Sequence, residues 1–154
     1  MTETGTKIVF LDCDGVVSPL GARDCFDRRC MQRLKQIVDA TRSKIVLSSS
    51  WRTSDFGRKE VAKQLVQHGM PSFIGCTPEL RTSRATEILQ WLEDNRFRLS
   101  IVNWVALDDI DLPSVAPDRT YFSRHAIVTN GVVGLTDSDV QRAIAILHDN
   151  NNNV

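Results

Sequence analysis

Short apolar runs alternate along the chain with stretches of helical periodicity. Lys7–Leu11, KIVFL, is an apolar run that stops at Asp12 and predicts a buried strand. Residues 15–25 carry Gly15, Pro19 and Gly21 and predict turns. From Arg28 to Ala40, Met31, Leu34 and Val38 recur on one helical face with Ile37 beside them. Lys44–Leu47, KIVL, predicts a second strand that stops at a serine run. Asp55–His68 predicts a helix, with Val61 and Leu65 four apart, Gly69 as its stop and Pro71 barring continuation. Ser72–Cys76 is a candidate third strand. Arg84–Asn95 reads as a helix with Ala85, Ile88 and Leu92 inward and Leu89 and Trp91 alongside. Asn103–Leu107 predicts a fourth strand ending at Asp108, and His125–Thr129 a fifth. Thr136-Asp137-Ser138-Asp139 is a helix start signal, followed by Val140, Ala143, Ile144 and Leu147 at helical spacing.

Strands that alternate with helices and read as continuous apolar runs predict an α/β fold. Its parallel sheet carries helices on both faces. In such sheets a ligand sits beyond the carboxyl ends of the strands. At 154 residues the chain predicts one domain over residues 1–149, with 150–154 an Asn-rich tail predicted to be disordered. Lys+Arg and Asp+Glu both number 19, so no net charge favours nucleic acid or an anionic membrane. A local basic patch from Arg23, Arg28, Arg29 and Arg52 stays open. No apolar run is long enough to span a bilayer. MTETGTK lacks the basic-then-apolar form of a secretory signal, which points to a cytoplasmic protein. The four cysteines, at 13, 25, 30 and 76, form no CxxC pair, and His68, His125 and His148 lie outside zinc-ligand spacing. Reduced thiols are expected.

The residues just after the strands are Asp12-Cys13-Asp14-Gly15, Ser48-Ser49-Ser50 and Asp108-Asp109. Carboxylates gathered at one rim repel one another unless a cation joins them, and hard oxygen ligands suit Mg²⁺. A carboxylate in such a site can attack phosphorus and form an aspartyl-phosphate. A second carboxylate two residues on can protonate the leaving oxygen and later deprotonate water. A serine hydroxyl and a cationic side chain can hold the phosphoryl oxygens.

FLDCDGVV resembles the first motif of the haloacid dehalogenase superfamily, whose phosphatases read hhhDxDG. KIVLSSS is similar to its second motif and NWVALDD to its fourth, in the right order. SSSWR and RATEILQWL further resemble the small domains grouped with Swiss-army-knife RNA repair proteins. The resemblance implies a Rossmann-like fold over nearly the whole chain and a Mg²⁺-dependent phosphatase. It makes Asp12 the nucleophile and a metal ligand. Asp14 becomes the general acid/base and, through its carbonyl, a further ligand. Ser48 and Ser49 become phosphate-binding residues. Asp108 is a metal ligand, with Asp109 assisting directly or through water. The third motif normally supplies a Lys or Arg at a helix start. No Lys stands there, so Arg84 takes that place, with Arg81 in reserve.

Cys13, between the two aspartates, should point into the sheet as a buried thiol. Trp51, Trp91 and Trp104 read as packing residues and Asp111 as a loop carboxylate. Arg52 reads equally as a surface ion pair or a contact to substrate phosphate. The segments before and after the second strand hold a flap, helices and a strand, but no cap domain. The 109–124 segment, with Pro113 and Pro117, reads as a long loop beside the site. An open site suits a large phosphorylated substrate, such as a nucleic-acid end or a phosphoprotein, or borrows a lid from a partner subunit. A polynucleotide-end phosphatase and a catalytically idle binding module are the alternatives. A phosphorelay receiver fits less well, since it needs the acidic pair after its first strand rather than its fourth. Retention of Asp12, Asp14, Ser48 and Asp108 together speaks against an idle module.

Overall fold

A computed structural model describes residues 5–152. Five strands are present among the described residues: β1 (Thr6–Leu11), β2 (Lys44–Leu47), β3 (Gly75–Cys76), β4 (Ile101–Asp108) and β5 (Ala126–Val128). They form one parallel sheet in the order β3-β2-β1-β4-β5. The longer helices are α1 (Arg28–Thr41), α2 (Asp55–Gln67), α3 (Arg84–Asn95) and, near the C-terminus, α6 (Asp137–His148). Side chains alternate faces along each strand. Val9, Leu11, Ile45, Leu47, Val105 and Leu107 therefore pack under α1, α2 and α6, with Met31, Leu34, Val61, Leu65, Ala143 and Leu147. Ile8, Phe10, Val46, Trp104 and Ala106 face the other way and pack with Ala85, Ile88, Trp91 and Leu92 of α3. The architecture is the predicted Rossmann-like one, and no cap domain interrupts it among the described residues.

The helix ends follow their sequence signals. Asp27, Ser54, Ser83 and Thr136 cap α1, α2, α3 and α6 by accepting from Cys30, Gly57, Thr86 and Asp139 amides. Thr136 and Asp139 complete a capping box. Three expectations need correction. β3 is Gly75–Cys76 rather than 72–76, because only that end registers against Val46 and Leu47 at the sheet edge. β5 begins at Ala126, since the His125 amide closes a turn on Phe122 O at 2.9 Å. The 109–124 segment is no open loop: it folds into α4 (Leu112–Val115) and α5 (Arg119–Ser123), anchored by buried Leu112, Pro113 and Phe122. Residues 15–25 are turn-rich as expected and form a flap with a bridge from Asp14 to Ser18. In the tail, Asn152 is buried and donates to Arg124 O at 3.1 Å, while residues 153–154 lie outside the described residues. Among the described residues no helix is long and apolar enough to cross a membrane.

Candidate active site

The register places the site. Leu11 lies beside Leu47 and Leu107, and Leu47 beside Cys76. The ladder runs one residue further. Asp12 N donates to Leu107 O (3.1 Å), Ser48 N to Leu11 O (2.9 Å) and Thr77 N to Leu47 O (3.0 Å). Thr77, Ser48, Asp12 and Asp108 thus form one row across four strands, on the α3 face. The chain leaves β1 toward β2 and β4 toward β5, so Asp12 and Asp108 flank the crevice where the strand order reverses.

Asp12, Ser48 and Asp108 are 4%, 2% and 2% exposed. One carboxylate oxygen from each of Asp12, Asp108 and Asp109 falls within a 4.8 Å group. Arg84, opening α3, reaches Asp108 Oδ2 at 2.9 Å and Asp12 Oδ1 at 3.3 Å. Burial, with the Asp108 charge beside it, pushes the Asp12 carboxyl up to about 9 despite Arg84. Burial also raises Asp108. Burial works against the Arg84 charge, but Asp108 and Asp12 outweigh it and hold the guanidinium above its ordinary value. One cation thus faces three carboxylates, and the surplus charge invites a second.

The donor set suits Mg²⁺. All three side chains offer hard oxygens, and a divalent ion among them would offset the burial and the Asp108 charge that raise the Asp12 carboxyl. Asp12, Asp108 and Asp109 are the side chains that would hold it. Ser48 Oγ is buried with no hydrogen-bond partner, which leaves it available to a ligand oxygen. Two glycines make room for Asp109. A Cβ at Gly15, where φ is +84°, would lie 2.4 Å from Asp109 Oδ2, and one at Gly131 would lie 2.8 Å away. Their need was not visible from spacing, because the residues they clear are distant in sequence.

The remaining expected residues separate cleanly. Asp14 is exposed and outside the three-carboxylate group, and Trp51 Nε1 lies 3.4 Å from its Oδ1. Trp51 packs edge-on to Phe26, so it both fills the flap and touches Asp14. Ser49 does not join Ser48. One residue on, it takes the opposite face, where its Oγ accepts from Trp51 N and bonds to the Cys13 thiol. Cys13 is fully buried, and burial with the nearby Asp12 charge raises its thiol far out of the reactive range. Arg81 is exposed, in a left-handed turn before α3, and it is Arg84 that pairs with Asp12 and Asp108. Asp111 is exposed and outside the acidic group. Arg23, Arg28 and Arg29 are exposed, but Arg52 is not: it is 7% exposed and paired with Glu87, so it leaves the proposed basic patch. Its partner lies 35 residues further along the chain, beyond any local pattern.

The family model described as the HAD (haloacid dehalogenase) domain in Swiss Army Knife RNA repair proteins matches residues 8–140. No curated protein and no solved structure matches the chain. The match takes in every residue of the acidic row together with Ser48 and Arg84. The chain belongs to this HAD domain family, within a superfamily of hydrolases and phosphatases.

Proposed function

We propose that the protein is a Mg²⁺-dependent phosphatase that works through a phospho-aspartate on Asp12. The observation that carries this reading is the row itself. A buried carboxylate stands between an unpartnered serine hydroxyl and a second carboxylate, with a guanidinium at 3.3 Å. A cation held by Asp12, Asp108 and Asp109 would neutralise the cluster, keep Asp12 ionised and offset charge on the phosphoryl oxygens. Asp12 attacks phosphorus, forming the Asp12 Oδ–P bond as the ester P–O bond breaks. Asp14 gives its proton to the leaving oxygen. It then takes a proton from water, whose oxygen attacks phosphorus and breaks the Oδ–P bond, releasing inorganic phosphate. Ser48 Oγ–H donates to one phosphoryl oxygen, and the Arg84 guanidinium pairs with others as charge develops.

The RNA-repair description of the family favours a phosphorylated nucleic-acid end as substrate. The absence of a cap among the described residues fits a bulky chain. Exposed Arg23, Arg28 and Arg29 supply positive charge for its backbone. The test is turnover with Mg²⁺ of 5′- and 3′-phosphorylated oligonucleotides, a phosphopeptide, a sugar phosphate and an aryl phosphate. The expected result is the highest kcat/KM for a phosphorylated end. Faster turnover of the sugar phosphate would overturn the open-site reading, and no turnover of any ester would leave a binding module.

A further inference from the structure

The two stretches that carry the family resemblance, SSSWR and RATEI, are joined by side chains that take no part in the reaction above. Arg52 Nη2 and Glu87 Oε1 lie 3.1 Å apart, and both residues are buried. Arg52 Nε donates to Thr77 O at 2.9 Å, Nη1 to Ser49 O at 2.9 Å and Nη2 to Pro78 O at 3.3 Å. Glu87 Oε2 accepts from Leu80 N at 2.9 Å. Every partner lies next to a phosphate-facing element. Ser49 follows Ser48. Thr77 and Pro78 continue β3, Leu80 stands in the turn that leads to α3, and Glu87 sits one helical turn past Arg84.

A buried ion pair is an inefficient way to hold a fold, because desolvation offsets much of its attraction. What a guanidinium adds is direction, since its planar fork fixes several acceptors at once. Here the fork fixes the chain on both sides of the cradle. Ser48 Oγ and Thr77 Oγ1, neighbours across the β2–β3 register, are both buried without partners, so their own hydroxyls do not hold that edge and the Arg52 bonds to its carbonyls do.

We propose that Arg52 and Glu87 are positioning residues for a phosphate cradle. Their pair locks the Ser48 loop to the first turn of α3, so that Ser48 and Arg84 meet the same anion. The proposal rests on the phosphatase reading for the identity of that anion. Neither residue touches it, and neither lies among the residues that would hold the metal.

The experiment is calorimetric titration of the full chain, first with Mg²⁺ alone and then, Mg²⁺-loaded, with inorganic phosphate. Arg52→Lys and Glu87→Gln keep most of the side-chain volume but remove the planar fork and one of the two acceptors, and Glu87→Gln decides alone if the lysine variant does not fold. Asn103→Ala is the control for general loosening. It cuts the Asn103 Nδ2 bonds to Ile146 O and Asp149 O, toward the amino end of β4. Expected is a rise in phosphate Kd of roughly 10–100-fold in both pair variants, with Mg²⁺ affinity kept and the control unchanged. Normal phosphate affinity in a folded pair variant, an equal loss in the control, or a wild type that binds no phosphate would each overturn the proposal. Parallel ester assays separate the two readings. Pair-dependent phosphate binding without turnover sinks the phosphatase reading alone. Turnover with normal phosphate binding in the variants sinks this inference alone.

Discussion

Arg52 and Arg84 both pair with carboxylates below the surface, yet the two clusters are built to opposite ends. Arg52 faces one carboxylate, Glu87, and spends its remaining donors on Ser49, Thr77 and Pro78 carbonyls. Charge there is balanced and nearly every polar atom has a partner. Arg84 faces Asp12 and Asp108, with Asp109 beside them, while Ser48 Oγ has no partner. Charge there is unbalanced and a hydroxyl waits. A saturated polar cluster fixes geometry, whereas an unsaturated one stores affinity for what would complete it. The sheet carries both within a few residues because its parallel strands end together.

The sharpest way to break this comparison is to remove one carboxylate from each cluster. Asp12→Asn is predicted to reduce phosphate release to background, since the amide that replaces the carboxylate does not attack phosphorus. The same change is predicted to raise the melting temperature of the metal-free protein at neutral pH, because an amide does not carry the folding cost of a carboxyl whose ionisation the site opposes. Asp14→Asn comes next, with turnover slowed by on the order of 10²–10⁴ through lost proton transfer and Mg²⁺ binding retained. Steady-state kinetics beside Mg²⁺ titration checks both.

Glu87→Ala should do the reverse of Asp12→Asn. It leaves a buried guanidinium without its counter-charge, and the predicted loss is about 3–5 kcal/mol in urea unfolding. A stable Glu87→Ala protein would mean the two clusters are not different in kind.

The smallest effect is one of pH. Between its ordinary value of 3.8 and about 9, the unfolded chain has lost the Asp12 proton while the metal-free folded chain keeps it. The folded state then binds more protons, so its stability falls as pH rises through that window. Mg²⁺ competes with that proton, so its stabilising effect should grow as the buffer is moved from acid toward about pH 9. Asp108→Asn should flatten this dependence. Thermal melts with and without Mg²⁺ across the range test it.

These differences were unequally legible in the sequence. β2 and α3 have the predicted bounds, because an apolar run that stops abruptly and a capped amphipathic period are local signals. The placement of Asp12, Ser48 and Asp108 at one sheet edge is legible for the same reason, as they are the first polar residues past buried strands. Local pattern could not give the facing of Ser49, which follows from the register, or the burial of Arg52, which depends on Glu87. α4 and α5 have four and five residues, too few to display a period, and exist because Leu112 and Phe122 find the core.

The central claim is that phosphate passes through the Asp12 carboxylate, and trapping that intermediate tests it most directly. Borohydride added during turnover with Mg²⁺ and an active ester reduces an acyl phosphate to the alcohol. Peptide mass mapping should then find homoserine at position 12 in the wild type, and none when substrate or Mg²⁺ is withheld. Turnover that leaves position 12 unmodified, with Asp12→Asn near normal in the same assay, would contradict the account.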